Sequence, residues 1–400
     1  MKRLALLLSV VALVAFMCTA SFAQLSKYVL TDDDNGGASN SATLYTIGNT
    51  GTLTEVHSYA TGGTGLGGAF FDEHGVAVAQ NANCAFIVDA GSDDIAAFKR
   101  GGGGLTLVGR FSNAALSFSV NGAGGSVALT PNGKFLYGGY TGSENIGEWS
   151  VNTSTCALTF VGTYLPTGVA DEYSQILPTP DGKYLIVPMI DEQEVELATI
   201  NPTSGALTDA SNVSFVGISS TCTNDGCYPT GTDITKDGKI VVFGDAAGAG
   251  PPAILTATIS SGAFSNPKQW DMTNSCGIGN MENPWLSPKA YTSDAGYVYV
   301  SGGYGPNNIP SGVVTTKLSA TGISAPTSCI ANNAGLNNYD GLIETVVKDG
   351  NTGTGAVVAE FFNDLSTFKI SSTGVFTHIA DKTDSHANGG LSFTVYPPSR

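Results

Sequence analysis

The sequence predicts an all-β protein, a seven-bladed β-propeller in which each blade is a sheet of four antiparallel strands. A unit of about 50 residues recurs along the chain. Its clearest copies read VALTPNGKFLYGGY from Val127, ILPTPDGKYLIVPM from Ile176 and DITKDGKIVVFGD from Asp233. Short runs of alternating apolar and polar residues, separated by Gly-containing turns, indicate antiparallel strands. A repeat of this length with four strand signals per unit is typical of a propeller blade.

The first 23 residues have the pattern of a secretory signal peptide. Lys2 and Arg3 precede an apolar run from Leu4 to Met17, and the small-residue site Ser21-Phe22-Ala23 follows. The apolar run is short for a helix that spans a bilayer. We therefore expect cleavage before Gln24, secretion or release into a periplasm, and one propeller domain over residues 24–400.

We label the strands of a blade A to D from the central channel outward. Asn-Gly and Asp-Gly readily adopt the positive φ angles of tight hairpins, so they mark the turns between strands A and B. The dipeptide recurs at Asn132-Gly133, Asp181-Gly182 and Asp237-Gly238, and degenerate versions lie at Asn81-Ala82-Asn83, Ser293-Asp294-Ala295-Gly296 and Asp349-Gly350-Asn351. Six A–B hairpins are therefore visible, about 50 to 58 residues apart. Alternating C strands are predicted at Ile95–Phe98, Ile146–Trp149, Val195–Ile200 and Leu365–Ile370.

A seventh A strand is missing from the start of the mature chain. The chain opens on a B-like strand at Lys27–Thr31, followed by a C strand at Ala42–Ile47 and a D strand at Leu53–Tyr59. The run Leu391–Tyr396 supplies an A strand at the other end. We predict that this C-terminal strand joins the N-terminal blade and closes the ring, which removes two sheet edges. Rings of six or eight blades and an open solenoid are the alternatives.

The charge balance restricts the class of partner. Loss of Lys2 and Arg3 leaves 15 basic and 33 acidic residues, so the formal charge changes from -16 to -18. Such an excess of acid argues against nucleic acid and disfavours phosphorylated or polyanionic ligands at the binding face.

Six cysteines remain after Cys18 leaves with the signal peptide. An even number in an oxidising compartment indicates disulfides, although fifteen pairings are possible. Topology favours Cys222–Cys227 within one short loop and Cys276–Cys329 on the same face, which leaves Cys84 and Cys156 for the opposite face. A zinc site is the weaker alternative, because no second ligand pair has finger spacing.

The phrase T-P-[ND]-G-K-[FY]-L, followed by a C strand and then S-G-A-L-T, resembles the repeat of the seven-bladed propeller lactonases. That group includes bacterial 6-phosphogluconolactonase and fungal muconate-lactonizing enzyme, and the phrase is also similar to surface-layer propeller repeats. The resemblance extends over nearly all of the mature chain. It implies a lactone hydrolase with His, Glu and Arg residues at the mouth of the channel, often with a Pro-His pair directly before an A strand.

Five A strands directly follow segments of three residues that correspond to this Pro-His position. These segments begin at Gly124, Glu172, Tyr228, Asn283 and Asn388, and none of the five contains a histidine. Only Arg100, Arg110 and Arg400 remain as arginines after the signal peptide. A cation that could hold a phosphate or a developing oxyanion is therefore difficult to assign.

The B–C and D–A loops of a propeller open on one face, and here they are rich in carboxylates and aromatic residues. An acidic mouth with aromatic walls suits a cation, a sugar or polyol, or a basic peptide. The candidate ligand-binding residues are Tyr140, Asp171, Asp191, Asp245, Trp285, Tyr304, Tyr339 and Asp340. The alternative is that loop acids only keep an exported protein soluble.

His386 is the one histidine expected to face the mouth, since it lies in the approach to the closing strand. It could act as a general base, with Glu172 or Glu282 as its acidic partner. The alternative is a solvated loop histidine. No metal ligand set is assigned, but the acidic segment Asp32–Gly37 leaves a calcium site open, although it lacks EF-hand spacing.

Two functions follow from these observations. The first is an exported, non-catalytic module that binds a small molecule, glycan or protein through its acidic, aromatic face. The alternative is a hydrolase of an uncharged sugar lactone or ester, 6-phosphogluconolactonase-like by resemblance. We expect a monomer that needs no cofactor apart from the calcium mentioned above, with no nucleic-acid partner and no membrane span.

Overall fold

A computed structural model of the chain places seven antiparallel sheets side by side. It describes residues 28–37, 39–67, 74–102, 104–118, 125–168, 173–220, 222, 226–245, 253–271, 289–292, 296–302, 312–319, 322–324, 328–331, 343–346, 354–359, 364–371, 373–387 and 392–396. The predicted signal peptide lies outside these residues.

The first three strands belong to blade 1, and the last strand of the chain completes that blade. These four strands are β1 (Tyr28–Asp32), β2 (Ser39–Ile47), β3 (Leu53–Thr64) and β29 (Ser392–Tyr396), in the sheet order β29-β1-β2-β3. Blade 2 contains β4 (Val76–Val78), β5 (Cys84–Asp89), β6 (Asp94–Gly101) and β7 (Gly104–Ser112). Blade 3 contains β8 (Ser126–Leu129), β9 (Phe135–Tyr140), β10 (Asn145–Val151) and β11 (Leu158–Tyr164).

The remaining blades follow in chain order. Blade 4 contains β12 (Leu177–Pro178), β13 (Tyr184–Met189), β14 (Glu194–Ile200) and β15 (Leu207–Ser214). Blade 5 contains β16 (Pro229–Ile234), β17 (Ile240–Asp245), β18 (Ala253–Ser260) and β19 (Ala263–Asp271). Blade 6 contains β20 (Lys289–Thr292), β21 (Tyr297–Gly302) and β22 (Gly312–Ser319), and both β23 (Gly322–Ile323) and β24 (Ser328–Ala331) pair with β22. Blade 7 contains β25 (Ile343–Val346), β26 (Thr354–Ala359), β27 (Asp364–Ile370) and β28 (Phe376–Thr383).

The C-terminal strand closes the ring as predicted. Strand β29 pairs antiparallel with β1 along five residues, with Val29 opposite Val395 and Thr31 opposite Phe393. Contacts join β29 to β4, β4 to β8, β8 to β12, β13 to β16, β16 to β20, β20 to β25 and β25 back to β29. The prediction of a seven-bladed β-propeller is therefore confirmed.

The A–B turns show why the repeat carries Thr-x-Asn/Asp-Gly-Lys. In blade 3 the Asn132 side-chain oxygen accepts hydrogen bonds from the Thr130 hydroxyl and the Lys134 N–H, each at 2.9 Å. Gly133 adopts a φ of 70°, a conformation that only glycine enters at no steric cost. The same arrangement recurs at Asp181-Gly182 and Asp237-Gly238.

A β-bulge interrupts most of the outermost strands. In five blades the pairing of strands C and D skips one residue of strand D, which adds a local bend and twist. The skipped residues are Val56, Val108, Val161, Ala210 and Ile379. In blade 5 the pairing of β18 and β19 is irregular at Asn266, whose φ is 59°.

The hydrophobic core is divided among the seams between neighbouring blades. Pairs of buried residues from adjacent blades mark these seams: Leu44 with Ile87, Phe86 with Leu136, Tyr137 with Leu185, Leu197 with Phe243, Val242 with Val298, and Val29 with Leu365. Each blade thus depends on its neighbours for burial, as in other repeat folds.

Glycines of the C–D turns pack directly against aromatic rings of the preceding blade. The pairs are Gly104 on Tyr59, Gly205 on Phe135, Gly262 on Tyr184, Gly322 on Trp270 and Gly374 on Tyr297. These glycines let each blade approach the ring of the previous blade closely.

Substitution Gly205→Ala tests this packing. Gly205 has a φ of 82°, and an added Cβ would overlap the Phe135 ring. Gly217 has a φ of 77° but no atom within 4 Å of an added Cβ, so Gly217→Ala is a matched control. We expect the control to lose about 1 kcal/mol from the left-handed backbone and Gly205→Ala to lose about 2 to 4 kcal/mol through the added overlap. Urea unfolding measures both; equal losses would contradict the packing role.

Two of the predicted disulfides are present. Cys84–Cys156 links blade 2 to the C–D turn of blade 3, with a Cα–Cα distance of 5.4 Å. Cys222–Cys227 closes a short loop before β16, with a Cα–Cα distance of 4.8 Å. The predicted Cys276–Cys329 pair falls outside the described side chains.

Candidate functional site

One end of the propeller carries the carboxylates. At this end, called the mouth end, each B strand finishes, each C strand begins and the D–A connections run inward to the A strands. The acids in the described B–C connections and adjoining strand ends are Asp32, Asp33, Asp34, Asp89, Asp93, Asp94, Glu144, Asp191, Glu192, Glu194, Asp245 and Asp364. The described parts of these connections contain no lysine or arginine.

A buried polar network joins blades 1 and 2 at the mouth end. The side-chain amide of Asn40 donates to Asp32 Oδ1 at 2.8 Å and to Asp89 Oδ1 at 3.0 Å. The Thr61 hydroxyl donates to the same Asp89 oxygen at 2.6 Å. Asp32, Asn40, Asp89 and Thr61 are all fully or almost fully buried. Burial, together with the nearby charge of Asp94, raises the pKa of Asp89 to about 7.

Asp33 forms the second centre of this network, at the closing seam. Its carboxylate accepts hydrogen bonds from the hydroxyls of Thr31 at 2.5 Å, Ser41 at 2.6 Å and Thr43 at 2.7 Å. Asp384, in the connection from blade 7, accepts a further bond from Thr31 at 3.4 Å. Burial and the charge of Asp384 raise the pKa of Asp33 to about 7.

Two other loop acids hold backbone segments. Asp34 accepts from the N–H of Leu66 at 2.6 Å and of Gly67 at 3.0 Å. Asp93 accepts from the N–H of Phe118 at 2.8 Å and from the Ser117 hydroxyl at 3.0 Å. These contacts give the loop acids at the seam of blades 1 and 2 structural partners, so solubility alone does not explain them.

A calcium site at Asp32–Gly37 was left open by the sequence, and this segment belongs to the network described above. Asp32, Asp33 and Asp34 each accept hydrogen bonds from hydroxyl, amide or backbone groups of the protein. In the described part of the chain, no three His, Cys, Asp or Glu side chains are grouped so that they could hold a metal ion.

The inner rim of the mouth is held by bonds between successive A strands. Ser392 Oγ accepts from the Gly75 N–H at 3.0 Å, and Ser126 Oγ accepts from the Ile176 N–H at 3.1 Å. The Ser174 hydroxyl donates to the Pro229 carbonyl at 3.3 Å. These contacts link blades 1 to 2, 3 to 4, and 4 to 5.

His74 lies on this rim, two residues before β4 begins, and was not predicted from the sequence as a site residue. Its Nδ1 is 3.3 Å from the Val127 carbonyl oxygen. A carbonyl can only accept, so Nδ1 carries the proton and Nε2 is the basic nitrogen of the neutral ring. Its ring is half-buried. The signal was present in the sequence: His74 lies two residues before the apolar run Val76–Val78, which precedes the degenerate turn at Asn81-Ala82-Asn83.

His386, the predicted base, has an outer-strand partner. Its Nε2 lies 3.2 Å from Glu55 Oε1 on β3, the outermost strand of blade 1. Both side chains are about one-third exposed. The predicted partners Glu172 and Glu282 lie outside the described residues, so this pairing stays a prediction.

The other predicted ligand-binding residues differ in their surroundings. Tyr140 is fully buried, with its ring stacked on Phe118 at 3.9 Å between centroids. Asp245 is buried and accepts from the Tyr228 N–H and the Gln269 amide, each at 3.2 Å. Asp191 is exposed. Asp171, Trp285, Tyr304, Tyr339 and Asp340 lie outside the described residues.

These features define a seven-bladed propeller protein with a buried acidic network and a histidine at its mouth end. Residues 43–223, which run from blade 1 to the connection after blade 4, match the family model described as "Lactonase, 7-bladed beta-propeller". The resemblance to the propeller lactonases is therefore confirmed over these residues. No match was found among curated proteins.

Solved structures of the same fold include several lactonase-like propellers. A putative 6-phosphogluconolactonase from Bacteroides fragilis is 16% identical, with a TM-score of 0.66 over 94% of this chain and 100% of that chain. One from Bacteroides uniformis is 12% identical, with a TM-score of 0.68 over 92% of this chain and 100% of that chain. The periplasmic gluconolactonase of Pseudomonas aeruginosa is 14% identical, with a TM-score of 0.65 over 92% and 99%. At these identities the likeness establishes the fold.

Among the described residues, none forms a helix long and apolar enough to cross a bilayer.

Proposed function

We propose that the protein is an exported hydrolase of an uncharged sugar lactone. The observation that carries the proposal is the match of residues 43–223 to the propeller lactonase family model. The gluconolactonase named among the structures of the same fold supports the same class of chemistry. The two disulfides and the predicted signal peptide support action outside the cytoplasm, in a periplasm or beyond the cell.

The charge distribution supports an uncharged substrate over a phosphorylated one. The mature chain carries a formal charge of -18, and carboxylates surround the mouth. Arg110 is bound to Asp94 through Nε at 3.0 Å and through Nη2, and Arg100 stacks over the Tyr28 ring at 5.5 Å. A phosphate would therefore meet acids at the mouth, where Arg110 is already paired with Asp94, while Arg100 lies at the opposite end.

His74 is the proposed general base. In this proposal Nε2 takes a proton from water as the water oxygen attacks the lactone carbonyl carbon. The tetrahedral intermediate collapses, the ring C–O bond breaks, and Nε2 returns its proton to the ring oxygen to give the open hydroxy acid. The Nδ1–H bond to Val127 would fix the ring orientation during this proton transfer.

Hydrolysis of δ-gluconolactone tests the proposal, with the rate followed in a pH-stat and corrected for spontaneous opening. We expect the wild-type protein to accelerate the reaction and His74→Gln to lose about 100-fold or more in kcat/KM, the usual contribution of a general base. His386→Gln is the matched control, and its kcat/KM should stay within about twofold of the wild-type value.

The outcomes separate the two parts of the proposal. If the wild-type protein does not accelerate lactone opening, the hydrolase assignment fails. If the wild-type protein is active and folded His74→Gln is equally active, the assignment stands and the base role of His74 fails. A loss in His386→Gln instead would favour the base predicted from the sequence.

A non-catalytic binding module is the second candidate, and one observation favours it. All four histidines contact protein partners: His57 packs edge-on against Tyr59, His74 bonds to Val127, His378 to Asp381 and His386 to Glu55. A rise in Tm with the lactone or a neutral oligosaccharide, without turnover, would support binding alone.

A further inference from the structure

The end opposite the mouth carries most of the described basic side chains. We call this end the turn end, because it contains the A–B turns, the C–D turns and the last residues of the C strands. Exposed lysines in these segments are Lys99, Lys134, Lys183, Lys236, Lys239, Lys317 and Lys369. In the described A–B turns and the final three residues of the C strands, the only acids are Asp181 and Asp237. Over the residues that the structure describes, the propeller is therefore acidic at the mouth end and basic at the turn end.

A cleft of about 480 Å³ opens at the turn end between blades 4 and 5. Lys183, Lys236 and Lys239 line it together with Asp181 and Asp237, so the lysines exceed the acids by one, and Pro180, Tyr184 and Ile259 supply apolar atoms. This volume falls in the range of small-ligand sites. The cleft is separate from the mouth end, because its lining comes from the A–B turns of two blades and the C–D turn of blade 5.

The turns that form the cleft are firmly held. The Asp181 and Asp237 side chains each accept hydrogen bonds from a threonine hydroxyl, at 2.7 Å, and from a lysine N–H within their own turn. Successive turns also touch, since an added Cβ on Gly238 would lie 3.6 Å from Pro180. The backbone positions of the lysines are thus fixed by the repeat.

The ammonium groups themselves are exposed and weakly held. Lys183 Nζ lies 3.0 Å from Asp181 Oδ2, and Lys239 Nζ lies 3.1 Å from Asp237 Oδ2. The two lysine side chains are 71% and 72% exposed. Ion pairs this exposed stabilise a protein by about 0 to 1 kcal/mol, so both ammonium groups can turn toward an incoming anion at little cost.

We propose that this cleft binds a linear acidic polysaccharide, with uronate carboxylates on the lysines and sugar faces against Tyr184 and Pro180. Lysines on successive blades form a row that suits a polymer with repeating charges. A concave cleft with an aromatic wall suits a sugar chain better than the flat surface of a lipid bilayer. The acids of the mouth lie at the opposite end of the propeller, and salt weakens their effect on this binding, because the Debye length falls to about 10 Å at 0.1 M.

Binding to polygalacturonate at about 50 mM salt tests the proposal, with retention on the immobilised polymer and titration calorimetry as measurements. The triple variant Lys183→Glu, Lys236→Glu, Lys239→Glu should bind at least tenfold more weakly than the wild-type protein. The matched control is Lys99→Glu, Lys317→Glu, Lys369→Glu, which has the same net charge and the same end of the propeller. The binding affinity of this control for polygalacturonate should stay within about threefold of the wild-type value.

Three outcomes would overturn the proposal. The first is a wild-type protein that does not bind polygalacturonate at low salt. The second is an equal loss in both triple variants, which would mean that overall charge and not the cleft controls binding. The third is binding to anionic phosphatidylglycerol vesicles without binding to the polymer. Unchanged Tm values of both triple variants serve as the folding control.

Discussion

A chain that lacks residues 392–400 is expected to lose its cooperative thermal unfolding transition. Deletion removes β29, which pairs with β1 along five residues and contacts both β4 and β25. It also removes Phe393, which is fully buried with Val29 and Tyr45 at the closing seam. Loss of one such aromatic side chain alone costs about 3 to 5 kcal/mol, and a whole domain is stable by only about 5 to 15 kcal/mol.

Two further variants test smaller changes at the same end of the chain. Deletion of residues 397–400 removes only the segment after β29 and should leave Tm within a few degrees of the full chain. Phe393→Ala keeps the strand and should lose about 3 to 5 kcal/mol of unfolding free energy, the usual effect of emptying a buried aromatic position. A sharp transition at unchanged Tm in the 392–400 deletion would show that ring closure does not depend on this strand.

The protein is expected to become less stable as pH rises from 4 to 8 because of Asp33 and Asp89. Burial raises the pKa of each carboxyl from 3.8 to about 7 in the folded protein. Between these values the folded state keeps protons that the unfolded state releases, so the free energy of unfolding falls with pH. Each group makes the free energy of unfolding fall across this window, and the fall levels off above the folded-state pKa of about 7.

Asp89→Asn isolates the effect of one group. An asparagine keeps an oxygen for Asn40 and Thr61 but cannot ionise, so this variant should gain stability relative to the wild-type protein as pH rises. Asp181→Asn is the control, because the pKa of Asp181 is lowered by the Thr179 hydroxyl and Lys183 despite some burial. Guanidinium unfolding at pH 5, 6, 7 and 8 measures the slopes. Parallel pH curves for Asp89→Asn and the wild-type protein would contradict the prediction.

The fold was largely predictable because its signals are local. Asn132-Gly133 and its equivalents identify the hairpins, and the unpaired B-like strand at Tyr28 requires an A strand from elsewhere, which Ser392–Tyr396 supplies. The bulges were not predictable. A bulge inserts one residue without changing composition, and Val56 fits an uninterrupted strand in the sequence as well as a bulged one.

The candidate site was less predictable because its partners are remote in the sequence. The loop acids were predicted to face the mouth, with a calcium site left open at Asp32–Gly37, whereas Asp33 and Asp89 are buried among hydroxyl and amide groups. Only tertiary packing brings Asn40 beside Asp89. His74 was not predicted to face the mouth because the blade 2 turn has no Asp-Gly or Asn-Gly, so the sequence marks the start of its A strand only weakly.

The irregular outermost strands affect whether two molecules can associate through their strand edges. A straight outer strand with free backbone groups can template strands from other chains, which is how filaments and amyloid grow. Here the fourth strand of every blade is irregular. One skipped residue interrupts this strand in five blades, and its pairing with strand C is irregular in blade 5. In blade 6 two separate strands, β23 and β24, pair with β22 in its place. A neighbouring chain that approached the perimeter would find the run of hydrogen-bonding positions interrupted within the outer strand. The outer edge of the propeller therefore disfavours strand-to-strand polymerisation, although valines are exposed along it.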